Sequence, residues 1–432
     1  MFSNKKRGPL ASFKIFFFVP LIVFFILLSI FLLFSSFSKE VPLLHQPQQY
    51  PELSFIKTNT RLSFTDYQNY FGALAKKKGA DYAFNVLKFA QFPVRTDVHL
   101  LAHAIGNVLY KQKGADGISI CTEDFQYGCS HAIVINLFWD KGIKALPHIV
   151  KACEKAPGNG AYAHCFHGMG HGVLDYSRYK LEDAINLCSQ AGKIGSSGMI
   201  YTECVGGSVM EMMSGFGNPG EWNIQSSKYL LANDPLSPCD QPYMPLDVRP
   251  ICYVYLSPHL FDASGAGWND PNTNLFGKAF ALCDLIPASD PASHTSCIGG
   301  LGKELPGISN NHDIRTYNNI TIEQTAKIYS WCKMAGNQTD TETCINYALG
   351  ALSWNGENSY QALLKLCEVV TEQPYKDYCY NNLVSQADTY NKDETYKNSL
   401  CKDLPGEYQN SCKESLLTST HTSSGNQPVL NR

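Results

Sequence analysis

The chain has 432 residues, of which 44% are hydrophobic and 17% charged, with a formal net charge of −3. This composition supplies a packed core and excludes global disorder, while the length fits either two or three average domains or a single repeat array. Lys5, Lys6, Arg7 and Lys14 all precede an apolar run, so everything after it carries about −7 with no basic stripe or patch, which argues against nucleic acid as a partner.

Residues 1–14 form the basic N-terminus, and from Ile15 to Phe37 the chain carries no charge. Twenty-three such residues at about 1.5 Å each reach about 34 Å, enough to cross a hydrocarbon core of about 30 Å. The run is longer than the apolar part of a signal peptide, and Ser35-Ser36-Phe37-Ser38 is a poor cleavage site. An uncleaved, single-pass signal-anchor over 15–37 is the expectation, with a cleaved signal as the alternative. The flanking positive charges place the N-terminus in the cytoplasm and the C-terminal part outside it or in the secretory-pathway lumen. Cysteine usage agrees, because all sixteen cysteines lie at or beyond position 121, in the part expected to meet an oxidising compartment.

Residues 38–58, with Pro42, Pro47 and Pro51, read as a linker. An extracytoplasmic helical domain is expected over 59–416, followed by a disordered tail over 417–432 rich in Ser, Thr, Gly, Asn and Gln. Thr65 to Ala75 and Ala80 to Phe89 carry apolar residues at helical spacing, separated by Lys76-Lys77-Lys78-Gly79. From Asp97, an N-cap candidate, the stripe Val98, Leu101, Ala102, Ile105, Val108 and Leu109 predicts a further helix.

The cysteines then set the rhythm. They fall into eight close pairs, Cys121/Cys129, Cys153/Cys165, Cys188/Cys204, Cys239/Cys252, Cys283/Cys297, Cys332/Cys344, Cys367/Cys379 and Cys401/Cys412. The pairs enclose 7 to 15 residues, and successive second cysteines are 33 to 48 residues apart, the size of a helix-hairpin repeat. One helix is expected to open at the second Cys of a pair and another to end at the first Cys of the next. Pairing across the short loops is favoured because their lengths vary least; joining the two ends of each hairpin is the alternative. The expected fold class is therefore all-α, a disulfide-clipped helix-hairpin array (α-solenoid or α/α-toroid-like) behind the transmembrane anchor.

Chemistry concentrates in the His-rich part, 97–175. His99 and His103 are spaced i, i+4, so their imidazoles share one helical face and can reach one metal ion. His131 and His167 each stand two residues after a helix-opening Cys, where later units have Gly206, Val254, Gly299, Asn346 and Asn381. Equivalent positions in stacked repeats are neighbours in space, so His131 and His167 should lie about one helix spacing, 8–10 Å, apart. His164, His167, His171 and Asp175 share a second face. Gly168, Gly170 and Gly172 cost a helix about 1 kcal/mol each, tolerable where a ligand or another backbone approaches closely.

These features predict His99, His103, His131, His167 and His171 as metal ligands, with Asp175 and Glu211 as candidate carboxylate or acid/base partners. His164 and His148 are weaker candidates. A thiolate-free histidine set suits Zn, Cu, Fe or Ni. Zinc with three histidines and an open position would support hydrolysis or hydration, and iron or copper would support oxygen chemistry. His-Glu-x-x-His, Gly-x-Ser-x-Gly, phosphate-loop and dinucleotide motifs are all absent from the sequence. Two further readings stand beside a metal-dependent activity: a cell-surface helical-repeat scaffold that binds a protein partner without catalysis, and a protein holding haem non-covalently. Asn319 and Asn337 begin glycosylation sequons.

Overall fold

The computed structural model describes residues 50–419, apart from 60, 94–95, 122–123, 157–158, 196, 216–218, 313–317, 354–358 and 391–393. The apolar run Ile15–Phe37 lies outside the described residues. Among those that are described, no helix is long and apolar enough to cross a membrane. By its contacts the chain divides into Met1–Pro51 and Glu52–Arg432, and the elements discussed below lie in the second unit apart from Pro51, the first residue of the first helix.

The second unit is all-helical, and among the described residues the only extended pairing is an isolated bridge between Leu231 and Asp234. Three helices lead in: α1 (Pro51–Thr58), α2 (Phe64–Lys78) and α3 (Ala80–Phe89). Pro51 pre-sets the first turn of α1, Ile56 is buried, and Glu52 accepts hydrogen bonds from Lys78 and Tyr82, so folded structure begins inside the segment read as a linker. Ser63 starts α2 with a capping box to Asp66. The Lys76-Lys77-Lys78 run that looked like a separator is the last turn of α2, where cations suit the helix dipole, and Gly79 at φ 98° ends it.

The region expected to carry the site comprises α4 (Val98–Lys113), α5 (Gly128–Lys141), α6 (Leu146–Cys153), α7 (Asn159–Tyr176), α8 (Leu181–Gly195) and α9 (Gly198–Ser214). Asp97 caps α4 by accepting from Leu100 N at 2.9 Å. Short α10 (Pro219–Gln225), α11 (Arg249–Tyr255) and α12 (Ser257–Ala263) follow. The remainder is α13 (Phe276–Cys283), α14 (Pro291–Ser309), α15 (Ile322–Cys332), α16 (Gln338–Ser353), α17 (Tyr360–Glu368), α18 (Gln373–Tyr390), α19 (Glu394–Asp403) and α20 (Gly406–Ser419). Helix α20 runs three residues into the segment read as a tail; 420–432 lie outside the described residues.

All eight cysteine pairs close across the short loops, with Cα–Cα separations of 5.4–5.7 Å, and no cysteine is free. The helix boundaries differ from the expectation in one respect. Helices α7, α9, α14, α16, α18 and α20 start about six residues before their cysteine rather than at it, and Cys188 sits inside α8. Loops of 10 to 15 residues have room for an extra helical turn and a half, and local capping sets the start, as Asp290 does by accepting from Ser293 N in α14. The helices carrying the second cysteines pack in succession, α5 on α7, α7 on α9, α9 on α11, α11 on α14, α14 on α16, α16 on α18 and α18 on α20, with α4 packed on α5.

Candidate metal centre

Two glycine-lined helix crossings bring the histidines together. At the α4/α5 crossing, a Cβ on Gly106 would stand 2.5 Å from the Cys129 carbonyl oxygen, and one on Gly128 2.6 Å from the His99 carbonyl oxygen. At the α7/α9 crossing a Cβ on Gly170 would run into the Cys204 carbonyl, and one on Gly207 into the His167 carbonyl. Ser208 Oγ seals this second crossing by bonding both the Gly170 and Cys204 carbonyl oxygens at 3.0 Å. Gly168 serves a different end, because the ring of His131 occupies the space its Cβ would need. The glycine triplet thus reflects close packing of backbone and imidazole rather than an open helix face.

These contacts place the imidazoles in one continuous cluster. Ring centroids are 4.6 Å apart for His99 and His103, 5.2 Å for His99 and His131, 5.7 Å for His131 and His171, and 5.1 Å for His167 and His171. His131 and His167 are 6.0 Å apart ring to ring, closer than the spacing of two helix axes because both side chains lean into the same gap. All five predicted ligands therefore meet. Within the set, the ligand atoms of His99, His103 and His131 lie within 4.8 Å of one another, and His167 and His171 stand outside that tighter group.

Hydrogen bonds fix which nitrogen each ring offers. A carbonyl can only accept, so His99 donates from Nδ1 to Phe125 O (2.8 Å), and His131 donates from Nε2 to His164 O (3.1 Å). The lone pairs are left on His99 Nε2 and His131 Nδ1, and the latter is buried with no hydrogen-bond partner. His103 Nε2 is 3.1 Å from His99 Nε2. Two nitrogens bound to one tetrahedral ion at about 2.0–2.1 Å are about 3.3 Å apart, so this spacing suits a shared metal as well as a shared proton. His171 donates from Nδ1 to Glu211 at 2.9 Å, and Tyr179 OH donates to the other Glu211 oxygen at 2.5 Å. Tyr179 reaches it from a left-handed backbone (φ 55°) just past the end of α7.

Burial holds His103, His131 and His167 well below the usual imidazole range, with neighbouring imidazoles adding to the effect, and burial likewise lowers His99. Neutral imidazole is the ligand form, so the site avoids most of the proton competition that opposes metal binding.

The remaining candidates separate cleanly. Glu211 joins the cluster, but as the hydrogen-bond acceptor that orients His171. Asp175 is buried, accepts from Trp139 Nε1 at 2.9 Å, and bonds to none of the histidines; burial and the Glu211 charge push it up to about 6. His164 contributes its carbonyl, while its ring stacks on Tyr127 at 4.3 Å. His148 is exposed on α6, away from the cluster.

Two groups escaped the sequence reading. Glu203 is buried on α9 with Oε2 4.0 Å from His167 Nδ1, and burial pushes its carboxyl up to about 7. Its signal was available: Glu203, Gly207 and Glu211 share one helical face at i, i+4 and i+8, and Glu203 precedes Cys204 as His164 precedes Cys165. The other is His294, set between Asp284 (3.3 Å) and Asp340 (3.7 Å), where the Asp284 side chain is 70% exposed and the contact is that of an ordinary surface ion pair. No protein-family model matches this chain, and none of the curated proteins or solved structures compared with it matches.

Proposed function

We propose that this protein is a membrane-anchored, extracytoplasmic metalloprotein whose ion is held by His99, His103 and His131 in a disulfide-stapled helical-repeat frame, and that the centre supports metal-dependent chemistry of the hydrolytic or oxidative class. One observation carries the reading. Three imidazoles converge, and for His99 and His131 the nitrogen opposite the lone pair is tied to a backbone carbonyl. This outer hydrogen-bonding is the usual companion of metal-bound histidine, fixing tautomer and ring angle before the ion arrives. It also supports a small ion over haem, since the rings pack directly on one another rather than across a flat slot. The donor set is nitrogen-rich and free of thiolate, which suits Zn, Cu, Fe or Ni.

His99, His103 and His131 would supply three ligands, leaving a fourth position for water or substrate, and the ion there would act as a Lewis acid or redox centre. The chain's own contribution is to hold these imidazoles neutral and oriented, with Glu211 and Tyr179 fixing His171 beside them. The succession of cysteine-bearing helices supports the repeat frame and leaves α11–α20 as scaffold or partner surface.

The test is elemental analysis of the full-length chain, made without a His-tag in an oxidising host, beside His99→Ala/His103→Ala. The reading expects near-stoichiometric transition metal in the parent and about one equivalent less in the variant at unchanged helicity. A metal-free parent that also fails to take up added Zn, Cu, Fe or Ni would sink it in favour of the partner-binding scaffold.

A further inference from the structure

We infer that the cluster holds a second metal position beside the first, formed by His167 Nδ1 and the carboxylate of Glu203, so that the centre is dinuclear. This rests on reading the three-histidine group as a metal site, and it starts from a mismatch within the cluster. Within the cluster, two buried imidazole nitrogens have no hydrogen-bond partner, His131 Nδ1 and His167 Nδ1. An ion on His99, His103 and His131 would satisfy the first. The second belongs to a ring outside that convergent group, 6.0 Å from the ring of His131, and is left as it was. A buried polar atom without a partner is costly, and an ion at this nitrogen would satisfy it.

The surroundings of His167 suit a cation. Its Nε2 lies 3.3 Å from Met210 Sδ, a weak acceptor that takes the ring proton and leaves the lone pair on Nδ1. On that side stands Glu203 Oε2 at 4.0 Å, with the His167 and Glu203 side chains only 4% and 9% exposed. Two ligands of one tetrahedral ion stand about 3.3 Å apart, so an ion between these atoms needs the Glu203 and His167 side chains to close the 4.0 Å gap by less than about 1 Å. Gly207, one turn beyond Glu203 on α9, lies against the His167 carbonyl, which pins the two helices at this spot. His171, with its ring 5.1 Å from that of His167 and 5.7 Å from that of His131 and with Nδ1 committed to Glu211, has Nε2 left as a further nitrogen donor. Tyr255 closes the outer side by packing on His167 at 4.9 Å, which brings α11 into the wall of the site. A His/carboxylate donor set beside a three-His set is suited to zinc or iron rather than to a thiolate-selecting metal.

Zinc titration of the chelator-stripped full-length chain, followed by gel filtration and elemental analysis, decides the matter. The inference expects two bound zinc ions in the parent, one in Glu203→Gln, one in His167→Asn and one in His99→Ala/His103→Ala, with helicity checked by circular dichroism. Glu203→Gln keeps the shape of the side chain and decides the question by itself if His167→Asn fails to fold. A parent with one ion, unchanged in Glu203→Gln and His167→Asn, would overturn the second position and leave the three-histidine reading standing. So would two ions in the parent that both variants retain. A parent that binds none would overturn both.

Discussion

The α4–α9 region and the α14–α20 region are built by the same rules and fill the same slots differently. In both, short disulfide loops hold a long helix against its predecessor. At Gly299 and Asn346, as at His131 and His167, the residue two places after the second cysteine meets the neighbouring long helix, whereas Asn381 in the same position is exposed. In the later region that slot is settled internally: Gly299 receives the Tyr347 ring, and Asn346 Oδ1 accepts from Gln386 Nε2 at 3.2 Å. In the earlier region it holds His131 and His167, each with a buried nitrogen that no protein group satisfies. The difference teaches that the frame does not need histidine there. Buried polar atoms are normally paired, and a ligand from outside the chain would satisfy both of these nitrogens, which lie in adjacent slots.

The largest expected effect comes from importing the later solution into the earlier slot. His131→Asn places there the residue found at 346 and 381. It should leave helicity intact yet weaken metal binding by more than about 100-fold, because even outer partners of a metal ligand are worth about 10–100-fold. Competition with a chromophoric chelator measures it, and undiminished affinity would show that His131 is a packing residue like its later counterparts.

A second test concerns the backbone, where Gly170 lies at a close helix crossing and Gly350 does not, although Gly302 makes the later region's equivalent contact with the Cys344 carbonyl. Gly170→Ala drives a methyl group into the Cys204 carbonyl and should cost about 1–3 kcal/mol and lower metal occupancy, because α7 and α9 must move apart. Gly350→Ala in α16 meets only Gln386 at 3.6 Å or more and should gain up to about 1 kcal/mol from helix propensity. Equal responses in thermal or denaturant unfolding would mean that α7 and α9 are not pressed together at Gly170.

The smallest effect concerns pH. Burial, helped by the Glu211 charge and opposed by the Trp139 hydrogen bond, raises Asp175 from 3.8 to about 6. The unfolded chain releases this proton first, so the metal-free protein should lose stability as pH climbs from about 4 to about 6. Asp175→Asn keeps an acceptor for Trp139 and removes that contribution, and should be the more stable protein at pH 8, by on the order of 1 kcal/mol. Denaturant midpoints at pH 4, 6 and 8 test it, and identical slopes for parent and variant would place Asp175 in a wetter setting than its burial indicates.

Much of this molecule can be read along the chain, because the signals are local. Disulfide partners lie within 16 residues of each other, and a loop that short leaves few ways to pair sixteen cysteines. His99 and His103 share a face by helical period alone, and His131 and His167 are linked by their common offset from a cysteine. What period and offset do not carry is the angle and depth at which helices cross. Tertiary packing decided that glycines at α4/α5 and α7/α9 press backbones together, that His99, His103 and His131 form the tighter group, and that Glu211 orients His171 while Asp175 turns to Trp139. It also brought Glu203 to His167, a meeting of residues 36 apart on different helices. Short-range periodicity pointed to the five histidines; which of them lie close enough to share an ion depends on distances across helix crossings, which no local pattern encodes.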